Sequence, residues 1–341
     1  MDLSIIIPTL NRAPALQATL RSLRQQVSGY WFEVIVVDNG STDHTREICA
    51  AAGKELPHFT YCYDDAPGML TGRHKGAALA QAALLSFIDD DVQLNPGWVS
   101  SVVDAFTRFP DAALVGGPSL ARYQVYPPAW LSYFEQQTPY GGSMCLPLSL
   151  LDLGAEDRQI DPLYVFGLNY SIRTGIFREL GGFHPDRIAD EWQQYQGDGE
   201  TGLSLKAKMK NYKALYVSSA FLYHLVPQER LQVAYFERWH YYSGICNSYT
   251  QIRNEHNLYR PYEKPSSKPI LPVRILRKAN RLLQRLKKPQ NAVPAQIAEL
   301  QSCFDRKYKE GYQFHQQAFQ TDVRVKDWVL RSDYWNYKLP A

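Results

Sequence analysis

The sequence has few cysteines and no long apolar run, and each absence excludes a class of protein. Its five cysteines, in 341 residues, lie at positions 49, 62, 145, 246 and 303 and form no Cys-x-x-Cys pair. This odd, scattered set is not the pattern of a disulfide framework or a zinc site, and it is typical of a reducing compartment. No stretch reaches the ~18 apolar residues of a membrane-spanning helix, and no signal-peptide pattern opens the chain. We therefore expect a cytoplasmic protein.

The nearly balanced net charge of +3 conceals an asymmetry along the chain. Residues 1–224 carry 17 Lys and Arg against 24 Asp and Glu, a net charge of −7. Residues 225–341 carry 20 against 10, a net charge of +10. An acidic front and a basic back indicate two different tasks.

Short apolar runs alternate with helical patterns over the first 118 residues. The predicted strands cover 3–8, 32–38, 59–63, 84–88 and 112–118, and the predicted helices cover 13–27, 43–52, 72–85 and 96–109. This alternation predicts an α/β fold with a mainly parallel sheet and helices on both faces. In such sheets ligands bind at the carboxyl ends of the strands.

The pattern is less regular after residue 118. We expect residues 119–166 to be irregular, followed by a strand and a short helix over 166–183, a helix over 199–213 and one or two strands over 214–224. From residue 229 the chain is expected to be mostly helical. The predicted division is one domain over 1–225, with halves 1–118 and 119–225, and a basic, mostly helical region over 226–341.

Three adjacent carboxylates, Asp89, Asp90 and Asp91, follow the fourth predicted strand. Two like charges about 4 Å apart repel by roughly 1 kcal/mol in water and about 4 kcal/mol near a protein surface. A divalent cation such as Mg²⁺ or Mn²⁺ is the usual compensation. In an extended backbone Asp89 and Asp91 would share one face, with Asp90 on the other. The alternative is a solvated acidic turn.

Asp38 ends the second predicted strand, in the stretch VVDNGSTD. A carboxylate there can accept hydrogen bonds from a base or a ribose. The other interpretation is a helix-capping turn, because Asn39-Gly40 is turn-prone and Ser41 or Thr42 can cap. The two interpretations are compatible, since Asp38 precedes the cap.

Taken together, these motifs resemble a known family. The stretches SIIIPTLNR, FEVIVVDNGSTD, GRHKGAALA and FIDDDVQLNPGWV, in this order, resemble the nucleotide-sugar-binding half of family-2 glycosyltransferases, which have the GT-A fold. FGLNYSIRTGIFRELGGF and GDGETGLSLKAKMKNYKALYVSSAFLYH resemble the acceptor half. The resemblance covers about residues 1–225 and depends on the number and order of the motifs.

The resemblance implies a set of residues that bind the nucleotide sugar. They are Pro8, Thr9, Arg12, Asp38, Arg73, Asp89, Asp90, Gly167 and Asn169. Asp89 and Asp91 match the DxD element that holds Mn²⁺ or Mg²⁺, with Asp91 as the more direct ligand. His224 lies where a histidine completes the metal shell in several GT-A enzymes; the alternative is a core histidine near a strand end.

The catalytic base of this family is usually the Asp of a Glu-Asp pair at the start of a helix, and here the sequence reads GDGETG. Alignment of the following helix puts Glu200 at that position, with Asp198 as the second candidate. Either acid would also complement the helix dipole, which is the alternative interpretation. Trp192 and Tyr195 are candidate acceptor contacts, although both residue types are common in protein cores.

The resemblance implies a metal-dependent, inverting glycosyltransferase that acts in polysaccharide biosynthesis. It would move a sugar from a nucleoside-diphosphate sugar to a hydroxyl group of a glycan or a lipid-linked saccharide. One alternative is a nucleotidyltransferase, which would need a Gly-rich first loop with Arg or Lys, unlike PTLNRAP. The other is a sugar-nucleotide-binding module without catalysis.

Residues 273–288 combine an apolar helical stripe with seven basic residues and no acid. This composition is typical of a helix on an anionic membrane surface, so peripheral attachment to the inner face of the membrane is one expectation. The alternative is a helix that packs on the protein with its basic face in water. Nucleic acid is not expected as a partner, because no reader motif accompanies the charge.

Overall fold

The fold contains two β-sheets, and many of the predicted site residues lie in their strands or directly after them. The protein is represented by a computed structural model, which describes residues 1–66, 68–259 and 294–339. Within these ranges one sheet has eight strands and the other has six. Residues 273–288, predicted to bind a membrane surface, lie outside the described residues.

The strands, in chain order, are β1 (Leu3–Thr9), β2 (Phe32–Asp38), β3 (Phe59–Tyr63), β4 (Leu84–Ile88), β5 (Val92–Leu94), β6 (Ala112–Gly116), β7 (Ser119–Tyr123), β8 (Gln136–Gln137), β9 (Ser143–Cys145), β10 (Leu150–Asp152), β11 (Arg158–Ile160), β12 (Asn169–Arg173), β13 (Lys213–Tyr216) and β14 (Leu222–Val226). The α-helices are α1 (Ala13–Arg24), α2 (Thr45–Ala52), α3 (Met69–Leu79), α4 (Trp98–Arg108), α5 (Thr174–Glu179), α6 (Gly199–Met209), α7 (Val233–Glu255), α8 (Ala295–Thr321) and α9 (Val323–Val329).

The eight-stranded sheet has the order β11-β13-β6-β12-β4-β1-β2-β3. β1 pairs in parallel with β2 and β4, and β2 pairs in parallel with β3. β12 runs antiparallel between β4 and β6. Every residue of β1 and β4 is buried, as expected of strands that are covered on both faces. The predicted α/β fold with a mainly parallel sheet is therefore confirmed.

The predicted helix over 72–85 is shifted in the structure. α3 spans Met69–Leu79, and Ala80 already has an extended backbone conformation that leads towards β4. The apolar residues Leu84 and Leu85 belong to the buried strand. α3 packs closely on β1, because a side chain at Gly76 would overlap Ile6. Close packing on the sheet, rather than helix propensity, determines where α3 lies.

The six-stranded sheet occupies much of the region expected to be irregular. Its order is β5-β14-β7-β10-β9-β8, and its strands are two to five residues long. Such short strands show little periodicity in the sequence. The sheet matters for the site because β14 pairs with β5, which opposes His224 to Val92, directly after the acidic cluster.

The C-terminal part of the described chain is helical, as predicted. α7 and α8 pack against each other at two glycines, since a side chain at Gly244 or Gly311 would overlap the backbone of the other helix. Trp328 and Tyr334 join the same hydrophobic cluster as Phe87 of the first sheet. Of the helices that the structure describes, none is both long and apolar enough to cross a membrane.

Candidate active site

The acidic cluster lies at the carboxyl end of β4, in a turn that leads into β5. The extended backbone expected there is not found, because residues 90 and 91 belong to the turn. Arg12 consequently contacts both carboxylates, with Nη1 2.9 Å from Asp90 Oδ1 and Nη2 2.7 Å from Asp91 Oδ2. Asp89 lies instead near Arg73, at 3.5 Å. The three acids therefore have different partners.

Asp90 is tied to the loop between β1 and α1. The Thr9 hydroxyl donates to Asp90 Oδ2 at 2.7 Å, and the Thr19 hydroxyl donates to the Asp90 carbonyl at 2.8 Å. Burial raises the pKa of the Asp90 carboxyl, although Arg12 opposes this shift. Asp90 thus holds the loop that carries Thr9 and Arg12. Pro8, one residue earlier in β1, is buried against Gly72 of α3.

Asp91 is almost completely buried, with 1% of its surface exposed. Its Oδ2 lies 2.7 Å from Arg12 Nη2, 2.7 Å from Arg230 Nη2 and 3.3 Å from His224 Nε2. Its Oδ1 is buried and has no hydrogen-bond partner among the residues that the structure describes. Burial opposes ionisation, but the guanidinium groups of Arg230 and Arg12 beside Oδ2 outweigh it and lower the pKa of Asp91. The carboxylate is therefore ionised.

His224 presents a ring nitrogen to Asp91. Its Nδ1 lies 2.7 Å from the Leu148 carbonyl, which can only accept, so Nδ1 carries the proton. The lone pair of Nε2 then faces Asp91 and Arg230, whose Nη1 is 2.5 Å away. This orientation of a histidine by a backbone carbonyl is common among metal ligands.

Asp91 and His224 fit a divalent cation as two of its ligands. One is a carboxylate with an unpartnered oxygen, and the other is an imidazole lone pair. Over the ranges that the structure covers, no group of three His, Cys, Asp or Glu side chains converges on one point. A cation held by one or two side chains commonly takes its remaining ligands from substrate phosphates and water.

Asp38 lies at the carboxyl end of β2, next to β1. Its Oδ1 accepts the Ser41 backbone N–H at 2.8 Å, and its Oδ2 accepts the Tyr61 hydroxyl at 2.8 Å. Only 1% of the residue is exposed. Asp38 therefore stabilises a turn, but Ser41 and Thr42 do not cap the next helix, because α2 begins at Thr45 with His44 as its N-cap. Each carboxylate oxygen of Asp38 keeps one acceptor position for a further donor.

Arg73 connects the acidic cluster to Glu200. It is 3% exposed, its Nη1 lies 3.6 Å from Glu200 Oε2, and its Nη2 lies 3.5 Å from Asp89 Oδ1. Nη2 also donates to the Gly167 carbonyl at 3.3 Å. A side chain at position 167 would come within 2.8 Å of Arg73 Nη2 and 2.9 Å of Glu200 Cδ. Glycine there lets the two charged groups approach each other.

Glu200 borders a cavity of about 600 Å³, which lies between α7 and the segments 146–149, 163–166 and 186–204. A third of its side chain is exposed. Burial raises the pKa of Glu200, Arg73 opposes the shift, and Asp186 adds to it. Solvent in the cavity screens these effects. A carboxylate with a raised pKa that faces a cavity has the properties of a general base.

Asp198 has a different environment, although it also borders the cavity. Its Oδ1 lies 2.7 Å from His184 Nδ1, and its Oδ2 accepts the hydroxyls of Tyr259 at 2.6 Å and Thr250 at 2.7 Å. Burial opposes ionisation, but these partners outweigh it and lower the pKa of Asp198. The geometry therefore favours Glu200 over Asp198 as the base.

Three other predicted site residues are engaged in the protein interior. The Asn169 carboxamide accepts from Trp98 Nε1 at 3.0 Å and donates to the Ala220 carbonyl at 2.9 Å. Tyr195 is 1% exposed and packs in the hydrophobic cluster, and Trp192 packs partly buried against it. The polar groups or rings of these side chains already face protein. This disfavours their predicted contacts with the nucleotide sugar or the acceptor saccharide.

Several residues of the site were not predicted from the sequence. Arg187 and Arg238 line the cavity with Asp186, and Arg230 contacts Asp91. One signal was available in α7, where residues 235, 238, 239, 242 and 246 lie on one face of the helix and line the cavity. Arg230 follows β14 in a short 3₁₀ turn and carries no recognisable motif.

Comparison with known proteins agrees with this geometry. Residues 4–144 match the family described as Glycosyl transferase family 2. The chain is 32% identical over 200 residues to a validoxylamine A glucosyltransferase of Streptomyces hygroscopicus subsp. jinggangensis, covering 54% of this chain and 47% of the relative. It is 26% identical over 185 residues to a glucosyl-dolichyl phosphate glucuronosyltransferase of Haloferax volcanii, covering 54% and 56%. The chain thus spans about half the length of the curated relatives it matches.

Among solved structures, the fold is similar to a mannosyltransferase of Pyrobaculum calidifontis in complex with GDP-Man and Mn²⁺. The TM-score is 0.51 at 15% sequence identity, and the match covers 98% of this chain and 84% of that one. The fold is therefore that of the GT-A glycosyltransferases. Residues 4–144 thus match the family that the motifs predicted, glycosyltransferase family 2.

Proposed function

We propose that this protein transfers a sugar from a nucleoside-diphosphate sugar to a hydroxyl group of a glycan or lipid-linked acceptor, with inversion, and that it uses Mn²⁺ or Mg²⁺. The main support is the position of Arg73. Arg73 lies between Asp89 of the donor-side acidic cluster and Glu200 at the acceptor-side cavity. The buried guanidinium of Arg73 thus connects the proposed base, Glu200, with the acidic cluster at the carboxyl end of β4.

Glu200 is the proposed general base. Its raised pKa and its exposure to the cavity suit removal of a proton from an acceptor hydroxyl group. Such a base typically contributes about 10²–10⁴ to the rate. Attack from the cavity side, opposite the leaving diphosphate, inverts the configuration of the transferred sugar. Arg73 lies 3.6 Å from the carboxylate, and its guanidinium is the proposed hydrogen-bond donor to the diphosphate.

Asp91 and His224 are the proposed protein ligands of the divalent cation. When bound, such a cation neutralises the charge that develops on the leaving diphosphate. Asp38, with its two remaining acceptor positions, is the proposed contact of the nucleotide base. Thr9 and Arg12 border the same end of the sheet through their contacts with Asp90.

The names of the relatives support a hexosyl donor, because they describe glucosyl and glucuronosyl transfer. The match of residues 4–144 to glycosyltransferase family 2 speaks against a nucleotidyltransferase. The accessible Glu200 beside Arg73 favours catalysis over a binding module.

The test is donor hydrolysis by the purified chain with a panel of nucleotide sugars. We expect release of nucleoside diphosphate from at least one of them in Mn²⁺ or Mg²⁺, and loss of release in EDTA. Asp91→Ala should abolish it in a protein that remains folded, and Asp104→Ala, on the exposed face of α4, should not. Release of inorganic diphosphate from a nucleoside triphosphate and a sugar phosphate would identify a nucleotidyltransferase. Binding without any turnover would identify a binding module.

We further propose that residues 273–288 attach the protein to an anionic membrane surface, where a lipid-linked acceptor is available. The support is the composition of that segment, within a region of net charge +10. Each Lys or Arg near such a surface contributes about 1 kcal/mol at low salt. Sedimentation with liposomes should show binding to anionic vesicles that weakens in high salt and after Leu282, Leu283 and Leu286 are changed to Ser. Equal recovery with neutral vesicles would contradict the proposal.

A further inference from the structure

Arg230 lies between the two proposed metal ligands. Its Nη2 is 2.7 Å from Asp91 Oδ2, and its Nη1 is 2.5 Å from His224 Nε2. The two nitrogens of one guanidinium group therefore contact the carboxylate oxygen and the imidazole lone pair that face each other at 3.3 Å. The ligand pair is nearly inaccessible to water, with Asp91 and His224 each 1% exposed.

The backbone holds Arg230 close to this pair. His224 lies in β14, and Arg230 follows in a 3₁₀ turn over Gln228–Leu231. Leu231 is 4% exposed and belongs to a hydrophobic cluster with Phe236 at the start of α7. The turn is therefore anchored on both sides, and the Arg230 side chain, at 13% exposure, reaches back over the strand end.

Arg12 does not have the same relation to the pair. It contacts one Asp91 oxygen and one Asp90 oxygen, and no contact joins it to His224. Removing Arg12 would leave the contacts of Arg230 with both ligand atoms in place. Of these two arginines, Arg230 is therefore the one that contacts both Asp91 and His224.

We propose that the Arg230 guanidinium competes with the divalent cation for His224 Nε2 and the Asp91 carboxylate, so that Arg230 must leave His224 before the cation binds both side chains. This inference rests on the proposed function, because it takes these two side chains as the metal ligands. A cation that binds both side chains needs the His224 Nε2 lone pair, which a guanidinium hydrogen occupies. Even at the unpartnered Oδ1 of Asp91, the cation would lie close to the positive charge of Arg230, which repels it. The released guanidinium would be free to bind an anionic phosphate.

The competition predicts an increase in metal affinity when Arg230 is removed. Arg230→Met keeps the length of the side chain but has no donor and no charge, so Asp91 and His224 become available. Arg230→Lys keeps the charge but cannot bridge two acceptors with a planar fork. The control is Arg122→Met on the neighbouring strand β7, an exposed arginine that contacts Gln93 and Tyr223 and lies outside the ligand pair. It removes the same charge.

The experiment measures the free Mn²⁺ signal by electron paramagnetic resonance during titration of each protein with Mn²⁺ alone. The Kd for Mn²⁺ should fall about tenfold or more in Arg230→Met, since charge-assisted hydrogen bonds no longer oppose binding. Arg230→Lys should lie between that variant and the wild type. Arg122→Met should change the Kd less than about threefold. Thermal unfolding of each variant establishes that it is folded.

Equal changes in Arg230→Met and Arg122→Met would overturn the competition, since general charge would then explain the effect. Weaker Mn²⁺ binding in Arg230→Met would also overturn it and would make Arg230 a support for the metal site. If no protein binds Mn²⁺ while donor hydrolysis proceeds in EDTA, the competition and the metal requirement fail, but the transferase activity stands. If the Kd values follow the expectation and no nucleotide sugar is hydrolysed, the competition stands and the proposed function fails.

Discussion

Two carboxylates at the start of α6 differ in what their surroundings allow them to do. Glu200 faces the cavity beside Arg73, whereas Asp198 accepts three hydrogen bonds in the interior. The sequence indicated both as candidates, because a helix start with two acids is visible in GDGETG. It could not separate them, because the partners of Asp198 come from residues 184, 250 and 259, which become neighbours only through folding.

We expect Glu200→Gln and Asp198→Asn to have different effects. Glu200→Gln should lower kcat by about 10² or more and leave the donor Kd nearly unchanged, because a base acts mainly in the transition state. Asp198→Asn should lower the free energy of unfolding by about 1–3 kcal/mol, because an amide cannot accept all three bonds. Steady-state kinetics and urea unfolding of both variants check this. The opposite pattern would assign the base to Asp198.

The pH dependence of the reaction provides a second test of Glu200. The base must be deprotonated, and burial raises its pKa above the ordinary value of 4.5. The acidic limb of kcat/KM should therefore lie at a higher pH than that of an exposed glutamate, with activity lost as the pH falls through it. This limb should disappear in the residual activity of Glu200→Gln. An unchanged limb in that variant would show that another group is responsible.

Among the secondary-structure elements, the bounds were predicted well where the apolar residues of one strand or helix repeat with a clear period. β2 and β3 have the predicted bounds, and α1 ends three residues before the predicted end. The predicted bounds of α3 are shifted, and the strands within 119–166 were not predicted, because these elements make their contacts with distant parts of the chain. β8 has two residues and β9 has three, and both gain their structure from pairing with neighbours. Local sequence contains little of that information.

The contact between α7 and α8 provides a prediction about a single methyl group. Gly311→Ala would place a Cβ against the backbone of Tyr241, so the helices must move apart. We expect unfolding to be easier by about 1–3 kcal/mol, the usual cost of overpacking. Because α7 lines the cavity, the KM for the acceptor should rise more than the KM for the donor.

Gly175→Ala is the matched control for this change. Gly175 lies in α5, and a Cβ there meets no atom within 4 Å. The same substitution should therefore be neutral or stabilise the protein by up to about 1 kcal/mol. Calorimetry of the two variants compares the effects directly. Similar melting temperatures for both would show that the helix contact tolerates a methyl group.

At the scale of the whole molecule, the two regions separated by charge share one hydrophobic cluster. Ile6 and Phe87 of the first sheet belong to it together with Tyr249 of α7 and Trp328 of α9. The change in composition near residue 225 indicated a boundary, and nothing in the composition predicted this shared packing. A chain that ends near residue 225 would expose apolar residues of the sheet to water. The helices of the basic C-terminal part therefore also contribute to the hydrophobic core.

Three buried histidines make the stability of the whole protein sensitive to acid. His74, His184 and His315 are each at most 2% exposed, and burial lowers their pKa values to about 3, 3 and 4 from the ordinary 6.5. Below pH 6.5 the unfolded chain binds a proton at each of them, and the folded chain does not. The free energy of unfolding therefore falls as the pH falls from about 6.5 to about 4.

The slope follows from the number of protons that only the unfolded chain binds. Each histidine contributes about 1.4 kcal/mol per pH unit, and Asp90, whose pKa burial raises, opposes them by up to one proton. The net loss should then be about 3 kcal/mol per pH unit at most. Urea unfolding between pH 7 and pH 5 measures it. His315→Gln should make the slope shallower by about one proton, whereas His44→Gln, at an exposed position, should leave it unchanged. A stability that is constant over this range would show that these histidines become protonated without unfolding, and that their surroundings admit the charge.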